Sequence, residues 1–223
     1  MLNQAVGELL PVAAAVALSP IPIVAVVLVL DSARARVNGP AFAAGWVAGL
    51  AVVSVLVVLV AGGANDPDSE VATGVNGLLV AIGIAFLVMA GRQWKKRPKR
   101  GEEPEMPGWM ATVESLPPLK AAGLGVALSA ANPKNLALTL AASASIARAG
   151  LDTTDELIAV AVFVAIGSVT VVGAVAFFLI APSRAERPLA AVRRFMAANN
   201  ATIMMVILLI LGLKVLGDGL GGF

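Results

Sequence analysis

The chain contains no cysteine and no histidine. Their absence removes thiol redox relays, histidine-ligated haem and the usual zinc sites, and with them Ser-His and Cys-His nucleophile pairs. There is no G-x-x-x-x-G-K-[ST] loop, so the chain has no ATP-hydrolysing P-loop of its own. Charge is scarce too: only 13% of the 223 residues are Asp, Glu, Lys or Arg, with a formal net charge of +2. An intramembrane enzyme would have hydroxyls, amides and one lysine to work with. The expectation is therefore no enzyme, no cofactor, no bound metal and no nucleic-acid partner.

Apolar residues fill the space that charge leaves. They make up 59% of the sequence, and the mean hydropathy of +0.91 lies far outside the usage of soluble domains. Six stretches approach or exceed the about 20 helical residues needed to cross a hydrocarbon core: Leu9 to Leu30, Ala41 to Ala61, Val71 to Ala90, Ala121 to Ile146, Leu157 to Ala181 and Ala201 to Leu213. The fold class is all-α integral membrane with six transmembrane helices. The first stretch is too long and too proline-interrupted for a signal-peptide core, and Asp31 and Arg34 follow it where a small-residue cleavage site would be, so it is expected to stay in the mature protein.

The basic residues order these segments. Arg34 and Arg36 follow the first; Arg92, Lys95, Lys96, Arg97, Lys99, Arg100 and Lys120 lie between the third and fourth; Arg184, Arg187, Arg193 and Arg194 follow the fifth. Of the 16 Lys and Arg, 13 thus share one side, which the positive-inside rule assigns to the cytoplasm. Both termini then face outside a bacterial cytoplasmic membrane. Arg34, Arg36, Arg92, Lys95, Lys96 and Arg97 form a cytoplasmic face suited to anionic lipid headgroups as well as to fixing topology. In the long inner connection, Trp109, Met110, Val113 and Leu116 recur at helical spacing, as a short interfacial helix would place them. Anchor, gate and docking site are all open roles for it.

The two halves share a pattern. VALSPIPIVAVVLVL (Val16 to Leu30) matches VALSAANPKNLALTL (Val126 to Leu140) at six of fifteen positions, and proline interrupts both near mid-membrane. Residues 1–91 form a first three-helix repeat, 92–118 a basic loop, and 119–223 a second repeat. Three helices per half is an odd number, so the second half enters the bilayer inverted. Inverted repeats with broken helices in matching places point to a transporter site at the midplane.

Ser19-Pro20 and Asn132-Pro133 each have the form of an N-cap followed by proline at the first helical position. Two fresh half-helices would bring their positive N-termini together there, favouring an anion. Lys134 lies at one of these ends, where burial without a partner costs at least ~3 kcal/mol. Three readings account for it: a transported carboxylate or phosphate offsets the cost, Lys134 binds carbonyls freed by the break or pairs with Asp31 or Glu8, or it sheds its proton and serves as a carrier. Ser54, Asn76, Thr139, Ser168 and Thr170 are candidates to line a path or to bond between helices. GWVAG (Gly45 to Gly49) is a small-residue packing face that could also serve a homodimer, Trp46 and Trp94 suit the interface, and Lys214 and Asp218 suit a local ion pair.

The runs SPIPIVAVVLVL, RARVNGPAFAAGWVAGL, RQWKKRP and PGWMATVESLPPLKAAGLGVALSAANPKNLAL together resemble the GAP family, the peptidoglycolipid-addressing proteins of the LysE transporter superfamily, over nearly the whole chain. The resemblance implies two inverted three-helix repeats and export or flipping of complex glycolipids across the inner membrane. It also implies a substrate site around the breaks, at Ser19, Pro20, Pro22, Asn132, Pro133, Lys134 and Asn135. The lack of cysteine departs from thiol-transferring relatives and excludes a redox role. The function expected is a secondary transporter exporting or flipping an anionic amphipathic substrate such as a lipid, lipid-linked sugar or glycolipid headgroup. Its partners are then membrane lipids, with lipid-synthesis or export machinery as further candidates. The rival expectations are an exporter of a small amino acid or other small solute, and a scaffold that transports nothing.

Overall fold

The structure, a computed structural model, describes residues 1–61, 69–96, 113 and 116–222. It is all helix among the described residues. In chain order these are α1 (Leu2–Ala17), α2 (Pro20–Leu30), α3 (Ala35–Val60), α4 (Glu70–Lys95), α5 (Pro118–Val126), a π-helical turn (Ala127–Ala131), α6 (Pro133–Arg148), α7 (Thr153–Ile180) and α8 (Pro182–Leu220). Four of them, α3, α4, α7 and α8, are long and apolar enough to cross a membrane. The pair α1 and α2, bent by 51°, makes a fifth if it counts as one span.

Proline sets both interruptions. Pro20 and Pro133 open α2 and α6, where a missing N–H costs nothing, but each deprives the preceding turn of a donor. The sixth segment is the largest departure from the sequence reading. Instead of a short span preceded by a basic loop, α8 runs unbroken for 39 residues, about 58 Å at 1.5 Å per residue, and takes Arg184, Arg187, Arg193 and Arg194 into the helix. Their side chains extend from a helical stem. Arg193 Nη1 meets Asp31 Oδ2 at 2.7 Å just after α2.

Small residues set the closest helix contacts, as expected where lipid provides no hydrophobic drive between helices. A Cβ on Gly45 would lie 2.0 Å from Ala122 O, and one on Gly125 would lie 2.2 Å from Phe42 O. Backbone therefore touches backbone between α3 and α5. Gly49 abuts Ser129 in the π turn. Gly45 and Gly49 are thus consumed within the chain, and the homodimer seam suggested by GWVAG is occupied. Gly83, Gly212 and Gly219 make the same kind of approach between α4 and α8.

The core centres on Phe42 and Trp46 of α3, Phe86 of α4, Phe163 of α7 and Leu208 of α8. Trp46, expected at the interface, is fully buried because Gly45 and Gly49 draw that face of α3 against α5. Trp94 is 55% exposed at the end of α4. Lys214 and Asp218 form their ion pair at 2.6 Å. Of the expected interfacial helix, Trp109 and Met110 lie outside the described residues. Val113 is buried in the core rather than laid on a surface, and Leu116 O accepts from Asn38 Nδ2 at 2.8 Å.

Candidate functional site

The break after α1 begins as an accounting problem in backbone donors. Pro20 has no N–H to give Val16 O, and the Ser19 N–H moves to that carbonyl at 3.1 Å. Ala15 O, which Ser19 N would ordinarily serve, is released. Lys134 Nζ donates to it at 3.0 Å from across the molecule. Ala17 O accepts from Thr170 Oγ1 of α7 at 2.6 Å. Buried carbonyls must find such partners in a membrane interior.

The second break is repaired in the same way from its own side. In a π turn carbonyl i is met by N–H i+5, and for Leu128 that residue is Pro133, which has none. Asn135 Nδ2 supplies the bond at 2.8 Å. Asn132 caps α6, its side chain accepting from Lys134 N at 3.1 Å. Replacing Asn132 with alanine is expected to destabilise the fold by about 1 kcal/mol, read as a lowered Tm in detergent; Asn132→Ser, which keeps a capping oxygen, recovers most of it.

Ser19 joins the two breaks. It stands at the N-cap position of α2 but caps nothing: Pro22 has no N–H to bond, and the hydroxyl turns to other partners and leaves the Ile21 N–H unserved. Its hydroxyl accepts from Lys134 Nζ at 2.5 Å. The hydroxyl's single proton is offered to Asn135 Oδ1 at 2.9 Å, with Ala15 O a longer alternative at 3.2 Å. Lys134, Ser19 and Asn135 are 5%, 2% and 0% exposed. Lys134, Ser19 and Asn135 thus make one occluded polar cluster between two interrupted helices.

The cluster holds no acid. Neither ion pair among the described residues involves Lys134: Asp31 pairs with Arg193, and Glu8 accepts from Gln4. The bonds to Ala15 O and Ser19 Oγ are those of a lysine serving a freed carbonyl, and they occupy two of the three donors of an ammonium. The backbone offers less to an anion than two fresh helix ends suggest. Pro20, Pro22 and Pro133 remove donors, and Asn132 occupies the Lys134 N–H. Ile21 and Asn135 are left with the free N–H of each first turn. When protonated, Lys134 would be the chief source of positive charge at this point, assisted by the two dipole ends.

The remaining candidates fall elsewhere. Arg34 precedes α3, Arg36 lies in its first turn, Arg92 and Lys95 lie in the last turn of α4, and Lys96 follows it; all five are exposed, while Arg97 lies outside the described residues. Thr139 donates to Asn135 O at 2.9 Å, and Asn76 Nδ2 to Gly222 O. Ser54, Ser143 and Ser168 are buried with no hydrogen-bond partner for their hydroxyls among the described residues. The Thr170 contact was not legible in advance, because nothing in the sequence says which carbonyl a break will orphan.

A family model described as Sap, sulfolipid-1-addressing protein, matches residues 9–221. No curated protein and no solved structure matches the chain. Since the match takes in both broken segments and all but the ends of the sequence, the chain belongs to the sulfolipid-1-addressing protein family.

Proposed function

We propose that this protein is a secondary transporter of the bacterial cytoplasmic membrane that exports or flips an anionic amphipathic lipid, with Lys134, Ser19 and Asn135 receiving the headgroup. The observation that carries the reading is the acid-free burial of Lys134 at the point where α2 and α6 both begin. A protonated lysine beside two positive helix ends selects against cations and for a sulfate, phosphate or carboxylate. The family name supports a sulfolipid as one such cargo.

If α1–α2 and α5–π–α6 each cross as one broken span, the chain would cross six times, in the two inverted three-helix repeats that the likeness to the LysE superfamily implies. Alternating access then follows from one repeat rocking against the other around the cluster. With no P-loop in the sequence, a proton or substrate gradient drives the cycle.

The test is translocation of headgroup-labelled lipids in proteoliposomes containing the full chain, with and without an imposed pH gradient. Sulfated or phosphorylated lipid is expected to cross at least tenfold faster than a neutral glycolipid with the same chains. Equal rates for the two would remove the headgroup selectivity on which the reading depends. No movement of either lipid would leave small-solute export or a scaffold role as the better account.

A further inference from the structure

Between α3 and α7 an open groove of about 760 Å³ runs along the outer surface of the bundle. Its volume falls within the ~300–1,000 Å³ of small-molecule sites. It is lined from Leu157 to Gly173 on α7, about 24 Å of helix, and from Val47 to Val55 on α3. Eleven of its twelve lining residues are apolar, and the exception is Ser168.

Ser168 is 3% exposed, and its hydroxyl has no partner among the described residues. A buried helical serine can bond the carbonyl one turn back, as Ser145 does with Ala141 O at 3.0 Å. Ser168 leaves that bond unmade and lies at the edge of the groove, its oxygen covered by neighbouring atoms. An unpaired buried hydroxyl carries a desolvation cost, which a ligand bearing an acceptor removes.

The groove also reaches the level of the cluster described above. Gly167, beside Ser168, packs against Val16 of α1 and Leu50 of α3, at 3.3 Å and 3.5 Å from where its Cβ would be. Two residues further on, Thr170 bonds Ala17 O at the break. Gly167 and Thr170 thus tie the α7 side of the groove to the break. The lining decides between occupants. Close helix–helix approach in lipid relies on small residues, whereas Val47, Val55, Val160, Val164, Val169 and Val172 project β-branched bulk here. Such a surface suits an alkyl chain better than a close-packed helix.

The geometry points to the α3–α7 groove as the seat of one alkyl chain of an ester-linked lipid, with Ser168 donating to the carbonyl of the linkage while the headgroup occupies the cluster at the breaks. This rests on the lipid-transporter reading for the headgroup, but not for the groove itself. It gives the substrate a requirement beyond charge: an acceptor at the chain linkage.

Photolabelling tests it without any transport. The full chain is reconstituted with a phosphatidylglycerol carrying a diazirine on one acyl chain, irradiated at rest and mapped by peptide mass spectrometry. Labelling of 47–55 and 157–173 is expected at least fivefold above the exposed lipid-facing residues Ile84, Val88, Leu209 and Leu213 outside the groove, and Ala165→Trp should reduce it to their level. The ester-linked probe should exceed its ether-linked analogue about threefold in wild type and match it in Ser168→Ala, a substitution small enough to leave folding intact. Uniform labelling, or an ester preference that survives Ser168→Ala, overturns the proposal. Exclusion of the probe by a second copy cross-linked through α3 and α7 overturns it as well. Labelling without lipid translocation would leave the groove standing and count against the transporter reading; the reverse pattern would do the opposite.

Discussion

Lys134→Met is expected to reduce anionic lipid translocation about a hundredfold while leaving the folded chain at least as stable as wild type. The two effects have different sources. A bond from a charged donor to an anionic headgroup contributes ~1.5–3 kcal/mol, and its loss is multiplied where the site excludes water and the charges are poorly screened. Stability depends on a different balance. Placing a lysine at the centre of a membrane helix costs ~2.5–3.5 kcal/mol, and hydrogen bonds between membrane helices recover ~0.6 kcal/mol each. The bonds to Ala15 O and Ser19 Oγ therefore fall short of the cost by roughly 1–2 kcal/mol on these averages. Methionine fills the space, and the Ser19 hydroxyl still lies within reach of Ala15 O at 3.2 Å.

Two further variants separate charge from stapling. If Lys134 only fastens the breaks, Lys134→Gln keeps a donor and should retain transport, while Lys134→Met should lower Tm. If its charge receives the headgroup, Lys134→Gln should be as inactive as Lys134→Met, and Lys134→Arg should keep part of the rate. Paired translocation and thermal-unfolding measurements on the three variants decide the matter. A transport-competent Lys134→Met would sink the site outright.

The second large effect is structural. Gly125→Val is expected to prevent the fold from closing, because its Cβ would press to 2.2 Å from Phe42 O and 2.8 Å from Trp46 N. Both atoms are backbone, so the obstruction cannot be relieved by turning a side chain; α5 would have to move away from α3. Overpacking of this kind costs typically ~1–3 kcal/mol and more when backbone must move, a large part of a stability that is often ~5–15 kcal/mol in all. Gly123, two residues earlier on α5, faces open space. Gly123→Ala should be neutral or stabilising by up to ~1 kcal/mol through helix propensity. Trp46, buried at this seam, reports its opening, so intrinsic fluorescence during thermal unfolding reads both variants. Equal Tm values for the two would show that the seam tolerates separation.

The breaks were readable because proline acts through an absence that sequence displays directly. A residue without an N–H at Pro20 or Pro133 must leave a carbonyl unserved, and Asn132 before Pro133 announces its cap. Membrane class followed from composition, and Lys134 stood out because the surrounding residues are apolar. The partners were not readable. Which carbonyl goes free depends on whether the preceding turn shifts to 3₁₀ or π register, as at Ser19 N and Leu128 O, and register is decided by packing. Trp46 was misplaced because aromatic residues near segment ends usually seek the interface, while here glycine spacing on the same helix drew that face inward. The basic stretch before Ala201 read as a loop because its charges mask a helical pattern that Ala185 and Leu189, both buried, reveal only once a neighbour is present.

If the proposed transport cycle places Lys134 near the bilayer midplane, with no carboxylate paired to it among the described residues, the site also has a relation to the membrane voltage. A full crossing of the field is worth about 2.3 kcal/mol per elementary charge at 100 mV, and a midplane site whose access alternates moves through some fraction of it. With Lys134 protonated, the unloaded site of the proposed cycle would be a moving positive charge. Bound to a singly anionic headgroup, it is neutral and insensitive to the field. In the proposed cycle an inside-negative cell would draw the unloaded site back toward the cytoplasm and leave the loaded site free to open outward, so that voltage would act on the return stroke and give export its direction.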